Sequence, residues 1–144
     1  MSKRLLQAVE RTVTRTHIAL YRLTRGRVGG KWGKARVLLL TTKGRTTGKP
    51  RTTPVFYLRE DGVYALVASG GGRAQHPGWY RNLLANPEAE IEVDGEKIAV
   101  RSETAAPEQR ARLWPQFVAV YKGYDTYRQK TTREIPIVLL RPSG

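Results

Sequence analysis

Residues 37–58 read VLLLTTKGRTTGKPRTTPVFYL. The first part, residues 37–42, is short and apolar, and the last part, residues 52–58, is rich in β-branched and aromatic side chains around Pro54. Each of these runs is typical of a β-strand. The pattern therefore predicts two consecutive strands that are joined by a loop at residues 44–51.

The composition of this loop suits the binding of an anion. Gly44 and Gly48 allow tight turns and let backbone N–H groups approach a ligand closely. The loop also carries hydroxyl and cationic donors: Arg45, Thr46, Thr47, Lys49 and Arg51. A solvated hairpin tip is the alternative, because Lys and Arg also protect strand edges from aggregation. The loop alone does not distinguish the two.

Positive charge is concentrated in the first third of the chain. The 144 residues include 26 Lys/Arg and 12 Asp/Glu, for a net charge of +14. Residues 1–51 hold fourteen of the cations and one acid, Glu10, so they carry +13 of that charge. Such a field attracts nucleic acid, an acidic membrane face, or a small ligand with phosphate and carboxylate groups. Composition does not choose among these partners.

Several classes of site are excluded by composition. The chain has no cysteine, which rules out a disulfide framework, a thiolate metal site and a cysteine nucleophile. Its two histidines, His17 and His76, have no carboxylate cluster at ligand spacing, so no metal site is predicted. No apolar run approaches the roughly 18 residues of a spanning helix, and the first 25 residues lack the apolar core of a signal peptide. We expect an intracellular, cytoplasmic protein.

An N-terminal helix is predicted ahead of a single larger domain, with the boundary between residues 1–30 and 31–144. Basic residues surround a stripe at spacings of three and four, formed by Leu6, Val9, Val13, Thr16, Leu20 and Leu23. The helix either packs on its own domain or a second subunit, or lies on an anionic membrane through residues 3–27. On such a membrane each cation would gain about 1 kcal/mol. Contact with nucleic acid is a third interpretation.

The rest of the chain alternates strand and helix signals. Asp61-Gly62 and Asp94-Gly95 each predict a tight hairpin turn. The predicted elements are strands at 63–68, 89–93, 97–100 and 135–140, and helices from Pro77 to about 86 and from Pro107 to about 121. This order predicts an α+β fold dominated by antiparallel strands, in the form of a barrel.

Two further features are candidates for a ligand site. Residues 69–73, Ser-Gly-Gly-Gly-Arg, follow a strand and offer backbone N–H groups to a ligand, unless they form an ordinary strand-to-helix connection. Tyr121, Tyr124 and Tyr127 recur every third residue, so they lie either against a planar ring or in the core. A phenol that points into a pocket can donate a proton to a substrate anion.

Four ordered motifs give the chain a specific resemblance to a known family. They are LLTTKGRTTGKPR at 39–51, ASGGG at 68–72, HPGWYRNL at 76–83 and YKGYDTY at 121–127. Over residues 37–142 the chain resembles the deazaflavin-dependent nitroreductase family of actinobacteria, whose members use coenzyme F420 on a split β-barrel. The resemblance implies a split β-barrel with flanking helices and hydride transfer to a quinone-like, nitro or enone substrate. By analogy with related barrels it also implies a homodimer.

The resemblance further implies roles for particular residues. Tyr127, Tyr124 and Ser69 are implied as catalytic groups that help with the proton, and Tyr121, Tyr124 and Tyr127 as the substrate side. Contact with the coenzyme is implied for Arg45, Thr46, Thr47, Lys49, Arg51, Thr52, Thr53, Pro54, Val55, Phe56, Val67, Ala68, Ser69, Gly70, Gly78, Trp79, Tyr80, Arg81, Asn82 and Tyr124.

Three positions depart from the family pattern. Thr46 and Gly70 stand where lysines are expected, which removes charge directed at phosphate, and Phe56 stands where a tyrosine is usual. A shifted substrate range follows from the loss of that hydroxyl. Two alternatives remain: a split-barrel protein that uses FMN or has no activity, and a basic nucleic-acid-binding module. The second is supported by charge alone and predicts affinity that falls steeply with salt.

Overall fold

Seven antiparallel strands and four helices form the part of the chain that the structure, a computed structural model, describes: residues 3–27, 30–32 and 35–143. The helices are α1 (Lys3–Thr24), α2 (Gly78–Ala85), α3 (Pro107–Val120) and α4 (Gly123–Lys130). The strands are β1 (Lys31–Trp32), β2 (Ala35–Lys43), β3 (Pro50–Glu60), β4 (Val63–Val67), β5 (Glu88–Val93), β6 (Glu96–Thr104) and β7 (Ile137–Pro142). One tight turn, Gly70–Gly72, follows β4, and its three glycines have positive φ.

Six of the strands close into a barrel. Their order is β2-β3-β4-β7-β6-β5, and β5 pairs back onto β2 through Leu39↔Glu92, Leu40↔Ile91 and Thr41↔Glu90. All of the pairings are antiparallel, and β1 adds only a short extension beside β2. The closure is partial, because β3 pairs with β2 along residues 50–57 but with β4 only through Leu58, Arg59 and Glu60. The predicted α+β fold with an antiparallel barrel is confirmed.

The two hairpin turns lie where the sequence predicts them. Asp61 and Asp94 have φ of +53° and +50°, and the glycines that follow have φ of +77° and +87°. Two successive residues in the left-handed region are what a type I′ turn requires. The predicted loop at 44–51 is too long, because Pro50 pairs with Lys43 and β3 begins there.

The helix predicted at Pro77 begins one residue later. Pro77 is extended and precedes α2, and its carbonyl oxygen accepts hydrogen bonds from the backbone N–H groups of Tyr80 and Arg81 at 3.1 and 3.2 Å. The last strand likewise begins two residues after the predicted position, at Ile137. Both shifts leave the predicted elements in their predicted order, and the structure adds β1 and α4 to them.

Two hydrophobic clusters form on opposite faces of the strands. Alternate residues of β4 show the division, because Leu66 belongs to one cluster while Ala65 and Val67 belong to the other. The first cluster includes Tyr80 and Leu83 of α2, and the second includes side chains of α3 and α4. The second cluster therefore fixes Tyr121, which follows α3, and the two tyrosines of α4 beside β3 and β4.

Helix α1 packs on the barrel through Tyr21. The Tyr21 side chain is fully buried, and its hydroxyl donates to the carbonyl oxygen of Glu92 at 3.1 Å and accepts from the N–H of Asp94 at 3.1 Å. Burial raises the pKa of Tyr21 to about 12. Arg22 lies 3.6 Å from the buried Glu92 carboxylate. These contacts join α1 to β5 and to the turn that follows it.

The aliphatic stripe that predicts α1 is not the side that packs. The helix itself is present, but Val9, Val13, Leu20 and Leu23 are between 42% and 81% exposed. The Leu6 side chain lies outside those that the structure describes. One side of α1 therefore packs on the chain's own barrel, while its aliphatic stripe faces outwards. The predicted division of the chain into residues 1–30 and 31–144 stays a prediction.

Candidate active site

Two adjoining cavities form one cleft beside the hairpin of β2 and β3. Their volumes are about 630 and 500 Å³, and Thr53 and Trp79 line both. The cationic cavity is lined by Thr42, Gly44, Arg45, Thr46, Thr47, Arg51, Thr53, Arg73, Pro77, Gly78, Trp79 and Asn82. The tyrosine cavity is lined by Thr14, His17, Val37, Thr53, Pro54, Val55, Phe56, Val67, Ser69, Gly70, Gly71, Trp79, Tyr121, Tyr124 and Tyr127.

The hairpin tip owes its shape to its glycines and one threonine. Gly44 donates to the carbonyl oxygen of Lys49 at 2.8 Å, and Gly48, whose φ is +72°, donates to that of Gly44 at 2.8 Å. The hydroxyl of Thr47 accepts from the N–H of Lys49 at 3.2 Å. The tip is thus a closed turn that presents Arg45 and Thr46 to the cationic cavity.

Asn82 of α2 holds the hairpin tip against the helix. Its Oδ1 accepts from the backbone N–H of Arg45 at 3.2 Å and from Nη1 of Arg45 at 2.8 Å. Its Nδ2 donates to the hydroxyl of Thr42 at 3.0 Å, and Asn82 and Thr42 are both buried. The Arg45 guanidinium is therefore positioned before any ligand binds.

Every charged side chain that lines the cationic cavity in the described residues is an arginine. Arg45, Arg51 and Arg73 come from the hairpin, β3 and the loop after β4, and the first turn of α2 lies beside them. A helix N-terminus carries a partial positive charge, and threonine hydroxyls add neutral donors. This donor set fits phosphate or carboxylate groups. The cavity favours the anion-binding interpretation over a merely solvated tip.

The tyrosine cavity holds a pair of bonded phenols. The hydroxyl oxygens of Tyr121 and Tyr127 lie 2.8 Å apart. This hydrogen bond, and after it burial, raises the pKa of Tyr127, while burial raises that of Tyr124. Tyr124 and Tyr127 therefore remain protonated at neutral pH. They can donate a proton to an oxygen anion in the cavity.

Phe56 and two glycines fix the rings. The Phe56 ring packs edge-on against Tyr121, with centroids 5.5 Å apart, and 6.5 Å from Tyr124. A Cβ on Gly123 would lie 2.4 Å from the Tyr121 ring, and one on Gly72 would lie 2.9 Å from Cα of Tyr127. A methyl group added at either glycine would therefore displace Tyr121 or Tyr127.

Most of the predicted site residues line the cleft. Five of them line neither cavity: Lys49, Thr52, Ala68, Tyr80 and Arg81. Thr52 bonds Thr41 through their hydroxyls at 2.8 Å, and Tyr80 is buried with its hydroxyl 2.8 Å from that of Thr104. Ala68 is fully buried. Coenzyme contact by these five stays a prediction without support from the cavity geometry.

The sequence-based prediction omitted Thr14 and His17, which bring α1 to the tyrosine cavity. Thr14, His17 and Tyr21 are spaced three and four residues apart, so they lie on one face of the helix, and that spacing could have identified them.

The cleft as a whole fits a ligand that is anionic at one end and a planar ring at the other. Coenzyme F420, with its phosphate, acidic tail and deazaflavin ring, has this form.

Comparisons with known proteins agree with this geometry. A family model described as F420H(2)-dependent quinone reductase matches residues 13–142. An F420H(2)-dependent quinone reductase of Mycobacterium tuberculosis is 43% identical over 131 residues, which are 88% of this chain and 87% of that protein.

Two solved structures have a fold similar to that of this chain. An F420-H2 dependent reductase (FDR-A) superposes with a TM-score of 0.67 at 35% identity, covering 73% of this chain and 93% of that one. A domain-swapped dimer superposes with a TM-score of 0.70 at 30% identity, covering 95% and 96%. The barrel is a split β-barrel, as the resemblance implied. The chain belongs to the F420H(2)-dependent quinone reductase family.

Proposed function

We propose that this chain transfers a hydride from reduced coenzyme F420 to a quinone, with the coenzyme lying along the whole cleft. The phosphate and acidic tail would occupy the cationic cavity, and the ring and the quinone would meet in the tyrosine cavity. The observation that carries the proposal is the continuity of the two cavities at Thr53 and Trp79. Nitro and enone compounds are further electrophiles that the same site would accept.

The cationic cavity supplies affinity for the coenzyme. Charge-assisted hydrogen bonds from Arg45, Arg51 and Arg73 would neutralise the phosphate and carboxylates. Because Asn82 already holds Arg45, little side-chain entropy is lost when that contact forms. Arg73 is placed to replace some of the charge that Thr46 and Gly70 lack relative to the family pattern.

The tyrosine cavity supplies orientation and the proton. When bound, reduced coenzyme F420 donates a hydride, which carries two electrons. Hydride addition leaves one quinone oxygen anionic, and a proton from the Tyr121–Tyr127 pair converts it to the neutral hydroquinone. The tyrosinate that remains is reprotonated from solvent. Phe56 and Trp79 border the cavity with apolar surface that limits competing water.

Titration with coenzyme F420 and with FMN tests the proposal. The purified chain should quench deazaflavin fluorescence with a micromolar dissociation constant, and should oxidise reduced F420 when menadione is added. FMN binding of equal strength would support the flavin alternative. An absence of F420 binding at micromolar concentration would exclude the proposed function.

The outward side of α1 is proposed to contact an anionic membrane from the cytoplasm. The outward face of α1 has the exposed aliphatic stripe along one side and exposed cations, Arg4, Arg11 and Arg15, along the other. That combination suits a helix that lies in the headgroup region. In the described residues no helix has the length and apolarity needed to cross a membrane.

Point substitutions test this contact better than truncation, because removing residues 1–27 would also remove the Tyr21 anchor. The double variant Val13→Gln/Leu23→Gln should lose co-sedimentation with phosphatidylglycerol vesicles. Leu84→Gln, at an exposed leucine of α2, is the matched control and should bind as the wild type does.

A second copy of the chain is the competing occupant of the stripe. If the double variant changes the sedimentation mass in the absence of vesicles and leaves vesicle binding intact, the stripe serves a homodimer and the membrane proposal is wrong.

A further inference from the structure

Arg133, in the segment between α4 and β7, connects to the loop that joins the two ends of the cleft. Its Nη2 donates to the carbonyl oxygen of Ser69 at 2.6 Å, and its Nε donates to that of Arg73 at 2.9 Å. Its Nη1 donates to the carbonyl oxygen of Ala68 at 3.3 Å. One guanidinium therefore holds both ends of the segment 68–73. The planar fork of arginine makes such a multiple contact possible, and lysine cannot reproduce it.

His76 provides a fourth partner for the same guanidinium. Nη1 of Arg133 lies 3.0 Å from Nδ1 of His76. Arginine has no acceptor, so Nδ1 accepts and His76 carries its proton on Nε2. Burial, and after it the charges of Arg133 and Arg81, lower the pKa of His76, which keeps the ring neutral and able to accept.

The loop held by Arg133 has few hydrogen bonds of its own. Gly70, Gly71 and Gly72 have φ of +55°, +69° and +78°, which is a run of left-handed residues without side chains. Glycines lose more backbone entropy on ordering than other residues do. Within the loop, Gly72 donates to the carbonyl oxygen of Ser69 at 2.9 Å, and the bond from Arg73 to Gly70 is longer, at 3.4 Å.

The loop borders both cavities and the tyrosines. Ser69, Gly70 and Gly71 line the tyrosine cavity, while Arg73 lines the cationic cavity. Gly72 packs directly on the backbone of Tyr127. A displacement of this loop would therefore change the position of the ring site relative to both the anion site and the proton donor.

We propose that Arg133 is a positioning residue. It holds the loop at residues 68–73, the Ser69 loop, in a fixed position relative to Tyr127, so that the coenzyme ring and the phenol pair are aligned. This inference rests on the proposed function. Arg133 acts through the loop backbone, and lines neither cavity itself. A loss of alignment on the scale of 1 Å reduces the rate of a positioned reaction about 100-fold.

The test compares Arg133→Met, which keeps the apolar stem and removes every donor, with Arg133→Lys. Arg128→Met removes an exposed arginine of α4 that pairs with Asp125, and is the matched control. Amide hydrogen exchange of residues 68–73 is measured on the cofactor-free chain. F420 affinity, single-turnover oxidation of reduced F420 by menadione and the unfolding midpoint are measured in parallel.

In Arg133→Met, the amide hydrogens of residues 68–73 should exchange at least about tenfold faster than in the wild type, and the exchange rates of β2 should be unchanged. Its single-turnover rate should fall about 100-fold, while the F420 dissociation constant rises less than about tenfold. Arg133→Lys should recover part of the rate. The proposal is wrong if exchange and rate match the wild type, or if rate, affinity and β2 exchange all change in proportion to lost stability. If the wild type itself does not bind F420, the proposed function fails, and hydrogen exchange still decides whether Arg133 holds the loop.

Discussion

The two ends of the cleft are built in different ways. The cationic end uses exposed side chains such as Arg45 and Arg51, which come largely from one hairpin, with Asn82 as a support. The tyrosine end draws on α1, β3, the Ser69 loop and α4, and its rings are enclosed by Phe56 and by glycines. Affinity at the exposed end is a sum of separate contacts. Chemistry at the packed end depends on the placement of every neighbour, so small changes of volume should cost more there.

The largest effect is expected from Gly72→Ala. The new Cβ would lie 2.9 Å from both Cα and the carbonyl oxygen of Tyr127, so the loop or α4 must move. We expect turnover to fall about 100-fold or more, because the phenol pair and the ring site lose alignment. The measurement is single-turnover oxidation of reduced F420 together with the unfolding midpoint.

Gly62→Ala is the control for backbone strain. Gly62 has φ of +77°, close to the +78° of Gly72, and a Cβ there would meet nothing within 4 Å. Both variants carry the left-handed penalty of about 1 to 2 kcal/mol. If the two variants lose activity equally, packing against Tyr127 does not matter and the contrast between the two ends fails.

Tyr127→Phe should have the next largest effect. It removes one hydroxyl of the bonded pair and leaves the ring in place. Because a positioned acid contributes roughly 100-fold or more, we expect the turnover rate to fall about 100-fold with F420 affinity unchanged. The solvent isotope effect on turnover should change as well. Tyr64→Phe, at a core tyrosine that lines neither cavity, is the control. Full turnover by the Tyr127 variant would exclude that hydroxyl as the proton donor.

Features set by neighbouring residues could be predicted from the sequence. The Asp-Gly turns at 61–62 and 94–95 are local, because two small or polar residues accept positive φ, and both occur as predicted. The loop at 44–51 is local too, apart from its last two residues, which β3 takes into the barrel. The motif at 121–127 likewise identified residues that line one cavity.

Features that depend on distant packing could not be predicted. Thr14 and His17 reach the cleft because Tyr21 bonds to β5, 71 residues further along the chain. The aliphatic stripe, which gives the stronger periodic signal, faces outwards instead. Arg133 stands outside every motif, and its role follows from backbone carbonyl groups that no side-chain pattern encodes.

Substitution of the cationic end should act on binding alone. Arg45→Ala and Arg51→Ala should each weaken F420 binding by about 1.5 to 3 kcal/mol, the range for hydrogen bonds to charged groups. Arg45→Ala should cost more, because Asn82 holds that guanidinium in place. The rate constant of bound enzyme should be unchanged. Fluorescence titration and single-turnover kinetics at saturating coenzyme measure the two quantities.

Arg101→Ala controls for the loss of one positive charge, since Arg101 lies on β6 and pairs with Glu88 at 2.5 Å. Its effect reports long-range attraction, which added salt screens. If Arg101→Ala weakens F420 binding as much as the two cleft variants do, the cationic cavity is not a specific anion site.

The smallest effect is expected from His17→Ala, which tests whether α1 belongs to the packed end. His17 is partly buried and lines the tyrosine cavity but not the cationic cavity. Removing its ring should raise KM for menadione about three- to fivefold, the scale of about 1 kcal/mol of lost contact, with F420 affinity unchanged. Thr12→Ala, at an exposed position on the far side of α1, should leave both constants as they are. A change in F420 affinity without a change in KM would mean that α1 contacts the coenzyme, and the division of the cleft into a binding end and a substrate end would have to be redrawn.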